Sequence, residues 1–403
     1  MHSFPVPRIL RVLGLLLLPG LLSVCETPQP ATFDAQQYAG DEAVRPLVFI
    51  PGLMGSNLAR ADGDKAWLLA RHGLGLSTPD LRLPLDWQQQ SQQRDALQPA
   101  GIVMDVSLIP GLIGQAVYAP WADFASTIPN RPLYIFSYDW RRDNNETAAR
   151  FEIFLDELKQ QYNGRAAQVV AHSMGGMISL AVLNRRPELM ERVVFVGVPF
   201  RGGVGYLDNM HRGTSIGANA GLLAPEVLFS HTSVYSFYPA GQAFENTDIV
   251  RDENGNDLRL DFYEPQTWQD HQFGVFAAES ADWRGDVQQR LAFLKQALDR
   301  GREFRRAMRP RQPASAYPPV LVVGGKQHGT LAYTQRLAGA CCRWDFDDTP
   351  REPGDGSVLY RDMLPPEPIA HKVTLSTYWH SYLLNDPAKQ SDIAGFLLRA
   401  DAE

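Results

Sequence analysis

A serine in the middle of the chain has the neighbours that a nucleophile requires. Residues 171–175 read Ala-His-Ser-Met-Gly, after the short apolar run of residues 168–170 and before a helical pattern that continues to Leu183. On so sharp a strand-to-helix turn, the hydroxyl of Ser173 projects from the chain, where a base and a substrate carbonyl can both reach it. Ala171 replaces the usual first glycine, and alanine is the mildest change because the turn needs a small residue. We predict Ser173 as a nucleophile, against the alternative of an ordinary strand-to-helix turn.

A serine hydroxyl attacks a carbonyl only when a histidine takes its proton and an acid orients that histidine. In folds built around such a turn, the acid and then the histidine follow the serine along the chain. Asp355 lies between two glycines in residues 354–358, Gly-Asp-Gly-Ser-Val, in a loop after a predicted strand. His380 follows the last predicted strand. We predict Asp355 as the acid and His380 as the base.

Other carboxylates and histidines occupy positions that suit other roles. His371 opens the last predicted strand and therefore lies at the wrong end of it. His172 points away from the serine on the turn, so we expect it to pack or to form a hydrogen bond, and His328 either lines the site or bonds to a loop. The competing carboxylates form an acidic cluster typical of a solvated loop: Asp345, Asp347 and Asp348.

An acyl-transfer reaction also needs two backbone N–H groups that stabilise the negative oxygen of the tetrahedral intermediate. One donor is expected from Met174, the residue after the nucleophile. The second is expected from Leu53, in the loop of residues 51–56, Pro-Gly-Leu-Met-Gly-Ser, after the first predicted strand. Glycines on both sides of Leu53 free this loop to turn an amide inward, although Pro-Gly by itself also occurs in simple turns.

The elements that must position these residues are predicted by short apolar runs bounded by Gly or Pro. With the helical patterns between some of them, the runs predict an α/β protein with a mostly parallel sheet and helices on both faces. The predicted strands are residues 46–50, 132–136, 168–171, 193–198, 319–323 and 372–375.

Two intervals are far too long to be simple connections. The first insertion, about residues 56–131, is predicted to be a membrane or substrate cap, and the second insertion, about residues 202–318, a lid. Both would belong to one domain of residues 45–403. In the second insertion, residues 282–308 place Val287, Leu294 and Leu298 on one helical face. The alternative is that the insertions merely enlarge the fold.

Composition excludes several classes of partner. The 403-residue chain has a formal net charge of -7 and no basic run, so it is not expected to bind nucleic acid or to be held at anionic lipid by charge. Contact with a membrane surface would be apolar or covalent. Cys341 and Cys342 are adjacent, which is not a metal spacing, and form either a vicinal disulfide or two free thiols. We expect no metal ion and no organic cofactor, and the sequence identifies no protein partner.

The N-terminus indicates export. In residues 1–24, Arg8 and Arg11 precede a broken apolar run that is too short to span a bilayer comfortably, as in a secretory signal peptide. Residues 22–25, Leu-Ser-Val-Cys, are similar to a lipoprotein box, so Cys25 is either lipidated or close to a plain cleavage site. Residues 25–44 are predicted to be a flexible tether. The expected location is the periplasm or cell surface, free or anchored to the outer membrane through Cys25.

Five motifs together resemble the lecithin:cholesterol acyltransferase family, which includes lysosomal phospholipase A and phospholipid:diacylglycerol acyltransferases. The resemblance extends from about residue 46 to residue 384. Its most discriminating element is Tyr-Asp-Trp-Arg, which most α/β-hydrolases lack. The motifs are residues 49–56 (Phe-Ile-Pro-Gly-Leu-Met-Gly-Ser), 137–141 (Ser-Tyr-Asp-Trp-Arg), 171–176 (Ala-His-Ser-Met-Gly-Gly), 354–358 (Gly-Asp-Gly-Ser-Val) and 379–383 (Trp-His-Ser-Tyr-Leu).

The resemblance implies an α/β-hydrolase fold and an acyl-enzyme formed at Ser173 from a lipid ester. It also implies that Asp139, Trp140 and Arg141 shape the floor of the site, although an internal Asp139–Arg141 ion pair is the simpler role. In the first insertion, Trp67, Trp87 and residues 106–121 correspond in position to a membrane-contacting subdomain. In the second insertion, residues 232–239 resemble part of the family's cap. The chain departs from the family in its elbow alanine and in having no cysteines in either insertion.

These observations predict an exported serine acyl-ester hydrolase or O-acyltransferase that acts on phospholipid-type esters through an acyl-enzyme on Ser173. Hydrolysis and transfer share that intermediate and differ only in the acceptor that reaches it. Two other hypotheses are an esterase of small soluble esters and a non-catalytic surface binding protein on a hydrolase scaffold.

Overall fold

The computed structural model describes residues 44–87, 90, 97–109, 113–277, 286–339 and 342–399. The predicted signal peptide, nearly all of the tether with Cys25, and Cys341 lie outside the described residues.

A six-stranded parallel sheet forms the centre of the molecule. Its order is β6-β5-β4-β3-β1-β2, and every neighbouring pair is parallel. Each predicted apolar run coincides with one of these strands, which confirms the α/β fold. The strands are β1 Leu47–Ile50, β2 Leu133–Ile135, β3 Ala167–His172, β4 Met190–Val196, β5 Val320–Gly325 and β6 Lys372–Ser376.

Helices cover both faces of the sheet and fill the insertions. The α-helices are α1 Ala70–Gly73, α2 Ala119–Ser126, α3 Asn144–Gln161, α4 Met174–Arg185, α5 Gly205–Arg212, α6 Pro225–Phe229, α7 Pro265–Asp270, α8 Val287–Ala307 and α9 Pro387–Leu398. The short 3-10 helices are Pro187–Leu189, Thr232–Phe237, Gly274–Phe276, Ala314–Ala316, Tyr360–Met363 and His380–Asn385.

Alternation along the buried strands separates two hydrophobic cores. In β1, Val48 and Ile50 join the core that contains α3 and α4, whereas Leu47 and Phe49 join the core that contains α2 and α9. This follows from the period of two in a strand, whose successive side chains point to opposite faces. Because the strands are parallel, their carboxyl ends meet at one edge, where the loops that follow them can bring distant residues together.

The first insertion contains small antiparallel sheets. Strand Ser56–Arg60 pairs with Lys65–Trp67 and with Leu97–Ile102, and Asp105–Ile109 pairs with Ile113–Ala116. It contacts the second insertion directly, since the Ala218 amide donates to the Gly73 carbonyl. None of the helices in the described ranges is both long and apolar enough to cross a membrane.

The second insertion contains α5 to α8 and a short hairpin. The hairpin joins Thr214–Ile216 to Asn219–Leu223, and Val250–Arg251 pairs with Thr334–Arg336 from beyond β5. Three further strands follow β5, namely His328–Leu331, Trp344–Asp345 and Arg351–Gly354. In α8, Leu294 and Leu298 are buried as the periodicity predicts, but Val287 is 42% exposed because it occupies the first turn.

Candidate active site

Ser173 lies on a strained turn between β3 and α4. Its backbone has φ 51° and ψ −122°, which is the left-handed side of the Ramachandran plot that side chains rarely adopt. Gly175 shows why the turn needs small residues, since a Cβ there would lie 2.5 Å from the Pro51 carbonyl oxygen and 2.6 Å from that of Ile50. The turn therefore packs directly against the end of β1.

The structure brings His380 and Asp355 to this serine, as the sequence analysis predicts. His380 Nε2 lies 3.0 Å from Ser173 Oγ, and His380 Nδ1 lies 2.7 Å from Asp355 Oδ2. The His380 backbone N–H also donates to the Asp355 carbonyl over 2.9 Å. Ser173 thus forms one hydrogen-bonded row with a histidine 207 residues later in the chain and the aspartate bound to that histidine.

Asp355 is held as an acceptor and fixes the tautomer of His380. Burial by itself would raise the pKa of Asp355, but the charge and hydrogen bond of His380 and the amides of Ser357 and Val358 outweigh it and lower that pKa. An ionised carboxylate can only accept, so His380 Nδ1 carries a proton and its Nε2 presents a lone pair to Ser173. This arrangement can remove a proton from the hydroxyl during attack on a carbonyl.

The competing residues lie elsewhere. His371 precedes β6 and bonds to the Ile369 carbonyl, whereas His328 bonds to the Thr377 carbonyl and stacks on Trp379. In the acidic loop, Asp347 pairs with Arg212, and Asp345 accepts from the loop's own amides.

The loop after β1 lies beside the serine. A Cβ at Gly52 would be 2.8 Å from Ser173 Cβ, and Leu53 lines the cavity described below. Among the described residues, neither the Leu53 nor the Met174 amide donates to a protein acceptor. Neither predicted oxyanion donor is therefore bound to another group of the described protein, and Leu53 belongs to the cavity lining.

Tyr118 and His172 form a buried hydrogen-bonded pair beside Ser173, and the sequence analysis did not predict this pair. The Tyr118 hydroxyl lies 2.7 Å from His172 Nδ1 and accepts from the Gly52 N–H over 3.1 Å, and His172 Nε2 lies 3.0 Å from the His380 carbonyl oxygen. His172 therefore has the hydrogen-bonding role that its position on the turn predicts. No local pattern marks Tyr118, which is 54 residues away from His172.

Asp139, Trp140 and Arg141 do not line the cavity, and Asp139 and Arg141 form the internal ion pair that is the simpler of their two predicted roles. Arg141 forms a bidentate ion pair with Asp139, with Nε–Oδ1 2.9 Å and Nη2–Oδ2 2.7 Å. Burial would raise the pKa of Asp139, but the charge and hydrogen bonds of Arg141 outweigh it and lower that pKa. Removing one partner of such a buried pair typically costs about 3–5 kcal/mol.

Residues 138–141 also hold the loop after β1 through hydrogen bonds. Trp140 Nε1 donates to the Ser56 carbonyl, the Tyr138 hydroxyl donates to the Pro51 carbonyl, and the Tyr138 amide donates to Ser56 Oγ. Arg141 also donates to the Leu81 carbonyl in the first insertion. These residues shape the site indirectly, because they fix both ends of the loop that carries Leu53.

A cavity of about 550 Å³ opens over Ser173 and His380. Most of its lining is apolar and comes from the loop after β1, both insertions and the segment after Asp355. These side chains include Leu53, Met54, Trp67, Phe237, Leu331 and Val358.

Trp67 contributes to this cavity but is not exposed. It is 2% exposed, donates through Nε1 to the Met54 carbonyl over 2.9 Å, and packs edge to face on Trp140 at 5.2 Å. A side chain this buried cannot insert into a lipid surface, so a membrane contact is wrong for Trp67. It instead holds the loop of Met54 against the residues below.

In the part of the chain that the structure describes, no group of three or more His, Cys, Asp or Glu side chains could hold a metal ion. Cys342 is buried and disulfide-bonded, far along the chain from Ser173.

Comparisons with known proteins agree with this architecture. Residues 114–261 match the family described as lecithin:cholesterol acyltransferase, a range that contains Ser173 but neither Asp355 nor His380. A stretch of 73 residues is 37% identical to the lysosomal phospholipase A and acyltransferase of Rattus norvegicus, covering 16% of this chain and 17% of that protein. Over 225 residues the chain is 24% identical to an uncharacterized protein of Saccharomyces cerevisiae, covering 55% of this chain and 32% of that protein.

The chain thus spans about a third or less of the length of these curated relatives. Among solved structures, a chain of the Tle4-Tli4 complex aligns with a TM-score of 0.58 and 16% identity, covering 89% of this chain and 98% of that one. At this identity the likeness shows a shared fold. The chain therefore has an α/β-hydrolase fold, and over residues 114–261 it is similar to the lecithin:cholesterol acyltransferase family.

Proposed function

We propose that this protein is a serine acyl-ester hydrolase or O-acyltransferase that acts on lipid esters through an acyl-enzyme on Ser173. The observation that carries the proposal is the continuous row from Asp355 through His380 to Ser173 at the base of a cavity lined by both apolar and polar groups. A non-catalytic binding protein would have no use for a strained serine aligned with a correctly oriented imidazole.

In the first step, His380 Nε2 takes the proton of the Ser173 hydroxyl while Oγ bonds to the ester carbonyl carbon. The carbonyl oxygen becomes an oxyanion that the Leu53 and Met174 amides stabilise. His380 then gives its proton to the leaving alkoxide as the bond between the carbonyl carbon and that oxygen breaks, which leaves an acyl group on Ser173. Asp355 stabilises the imidazolium formed in between.

In the second step, a water or an alcohol takes the place of the leaving group. His380 removes its proton as its oxygen bonds to the acyl carbon, and the bond to Ser173 Oγ breaks with return of the proton to the serine. Water gives a free fatty acid and an alcohol gives a new ester. The same residues serve both outcomes, so the choice depends on which acceptor enters the cavity.

The charges in the cavity favour a phospholipid over a neutral lipid. Arg351 is the only arginine or lysine among the described lining residues, and no carboxylate of the described chain pairs with it. One carboxylate in the lining, Asp208, is neutralised by Arg212, and burial raises the pKa of the other, Asp362, to about 6. The Arg351 guanidinium is exposed and donates to the Phe346 carbonyl, and a guanidinium beside an acyl-binding cavity is suited to a phosphate diester.

The test is incubation of the purified protein with phosphatidylglycerol vesicles and, separately, with a diacylglycerol emulsion of the same chains. Mass spectrometry would follow lysolipid, fatty acid and, after addition of octanol, octyl ester. We expect lysolipid from the vesicles and an additional octyl ester with octanol, both absent with Ser173→Ala. Turnover confined to short soluble esters would favour the soluble-esterase hypothesis, and no turnover of any ester would favour the binding protein.

Substrate should be presented at a lipid surface by exposed apolar side chains of the insertions. Leu76 is 76% exposed, and it follows α1 next to the contact between Gly73 and Ala218 that joins the two insertions. Replacing Leu76 with serine should weaken vesicle binding about three- to tenfold, because a leucine side chain is no longer transferred from water into the lipid surface. Sedimentation with phosphatidylglycerol vesicles would measure this, with turnover of a soluble ester unchanged.

Ile153 supplies the matched control for Leu76. It is 59% exposed on α3, outside both insertions, so Ile153→Ser should bind vesicles like the parent. Equal binding by all three proteins, or an equal loss in both variants, would contradict interfacial presentation by the insertions.

Export and anchoring extend the same proposal. Their support is the charged-then-apolar plan of residues 1–24 and the position of Cys25 after it. Buried acyl chains contribute about 0.8 kcal/mol per methylene, enough in a multiply acylated cysteine to hold the protein at a membrane. Cys25→Ala should release active protein into the soluble exported fraction. A mature N-terminus elsewhere, or an unmodified Cys25 by mass spectrometry, would leave plain secretion.

A further inference from the structure

Tyr118 buries a polar group where the first insertion meets the active site. The residue immediately precedes α2 and is 2% exposed. Its hydroxyl accepts from the Gly52 N–H over 3.1 Å and lies 2.7 Å from His172 Nδ1, with the two rings edge to face at 5.7 Å. One hydroxyl thus joins the loop after β1 to the serine turn.

The direction of each hydrogen bond follows from the chemistry of its partners. The His380 carbonyl can only accept, so His172 Nε2, 3.0 Å away, carries the proton. Burial and the nearby His380 lower the pKa of His172 to about 3, which keeps the ring neutral. His172 Nδ1 is then an acceptor, and the Tyr118 O–H must donate to it. A row of three bonds therefore runs from Gly52 N–H through Tyr118 and His172 to the His380 carbonyl.

The two ends of this row are the two parts of the site that must be aligned with Ser173. Gly52 precedes Leu53, the proposed oxyanion donor, and it packs on Ser173 itself. The other end is the backbone of the proposed base. His172 also lies 4.9 Å from His380, ring centre to ring centre, so a neutral His172 adds no repulsion when His380 becomes protonated.

We propose that Tyr118 and His172 form a positioning pair that holds the oxyanion loop and the base in fixed relation to Ser173. The inference rests on the proposed function, because it assigns roles to Leu53 and His380. Tyr118 and His172 act through Gly52 and His380 and supply no atom to the reaction. Tyr118 belongs to the first insertion, so this insertion contributes to the alignment of the catalytic residues as well as to the cavity lining.

Tyr118→Phe tests the pair because it removes one oxygen and leaves the ring. The Gly52 amide and His172 Nδ1 then lose their partner in a buried place, and the loop and base are less well aligned. We expect kcat for a soluble ester to fall about ten- to a hundredfold, with KM within about twofold of the parent.

Tyr263→Phe is the matched control. Tyr263 is also 2% exposed, and its hydroxyl donates to the Tyr235 and Tyr238 carbonyls in the second insertion, away from the cavity. Its loss should lower the melting temperature as Tyr118→Phe does but leave kcat unchanged. Equal kcat values for the two variants and the parent would overturn the proposal.

His172→Gln provides a second, independent arm. A glutamine amide can still donate to the His380 carbonyl, but no ring fixes its carbonyl oxygen at the position of Nδ1, so kcat should again fall at least about tenfold at unchanged KM. The double variant Tyr118→Phe/His172→Gln should fall no more than about twofold further, since the row is already broken. Losses that multiply, or an unaffected His172→Gln, would overturn the pairing.

The parent protein separates this inference from the proposed function. Turnover by the parent with covalent labelling of Ser173 establishes the enzyme, and only the variants address the pair. An inactive, unlabelled parent would refute the proposed function instead. If Tyr118→Phe does not fold, the kcat and KM of His172→Gln decide the question alone.

Discussion

Replacing Ser173 with alanine should remove essentially all turnover, a loss on the order of a million-fold for a nucleophile of this kind. Alanine is no larger than serine on the positive-φ turn, and it deletes only the oxygen 3.0 Å from His380 Nε2. Reaction with a fluorophosphonate should likewise disappear. Hydrolysis of a soluble ester and mass spectrometry of the peptide that contains residue 173 would measure the two effects.

Ser179 gives a control on the same helix. It is fully buried in α4 and donates to the Gly175 carbonyl over 2.8 Å, with no access to the cavity. Ser179→Ala should keep kcat and labelling within about threefold of the parent. Persistent fluorophosphonate labelling of Ser173→Ala would place the nucleophile elsewhere and refute the acyl-enzyme at this residue.

Substitution of the acid or the base should have the next largest effect, a loss of about ten-thousandfold in kcat for each. In Asp355→Asn, an amide N–H would face His380 Nδ1, so the imidazole would turn its other N–H toward Ser173 and could not accept the proton. The charge that stabilises the imidazolium would also be lost. His380→Ala removes the acceptor outright. Circular dichroism would establish that both variants are folded.

Asp348→Asn and His371→Ala are the corresponding controls, because Asp348 is exposed in the acidic loop and His371 bonds to the Ile369 carbonyl before β6. Both should keep parent activity. An inactive His371→Ala beside an active His380→Ala would mean that the end of β6 is wrongly assigned.

Most of the central sheet could be predicted because its signals are local. A buried parallel strand is apolar on both faces, so the four inner strands can be recognised from apolar runs alone, whereas the edge strands β2 and β6 are partly exposed. The serine turn is equally local, since its strain demands small neighbours such as Gly175. For Asp355 and His380, chain order and the loop positions after predicted strands were sufficient.

The role of Trp67 could not be predicted in the same way. It was matched to a membrane-contacting subdomain, but together with residues 138–141 it is a buried support of the loop after β1. The identity of a residue does not show whether its side chain faces a lipid, a ligand or another side chain. Whether a side chain is buried depends on the residues packed over it, and here those residues come from distant parts of the sequence.

The sequence by itself determined the parallel sheet, the nucleophile turn and the identity of the three residues in the row, because each depends on neighbours along the chain or on strand order. Only the tertiary structure decided that Tyr118 and His172 connect Gly52 to His380, and that Arg351 is the one arginine or lysine among the described residues that line the cavity. Hydrogen bonds and ion pairs depend on distances of about 3 Å between atoms. Residues far apart in sequence reach such distances only when the whole fold has formed.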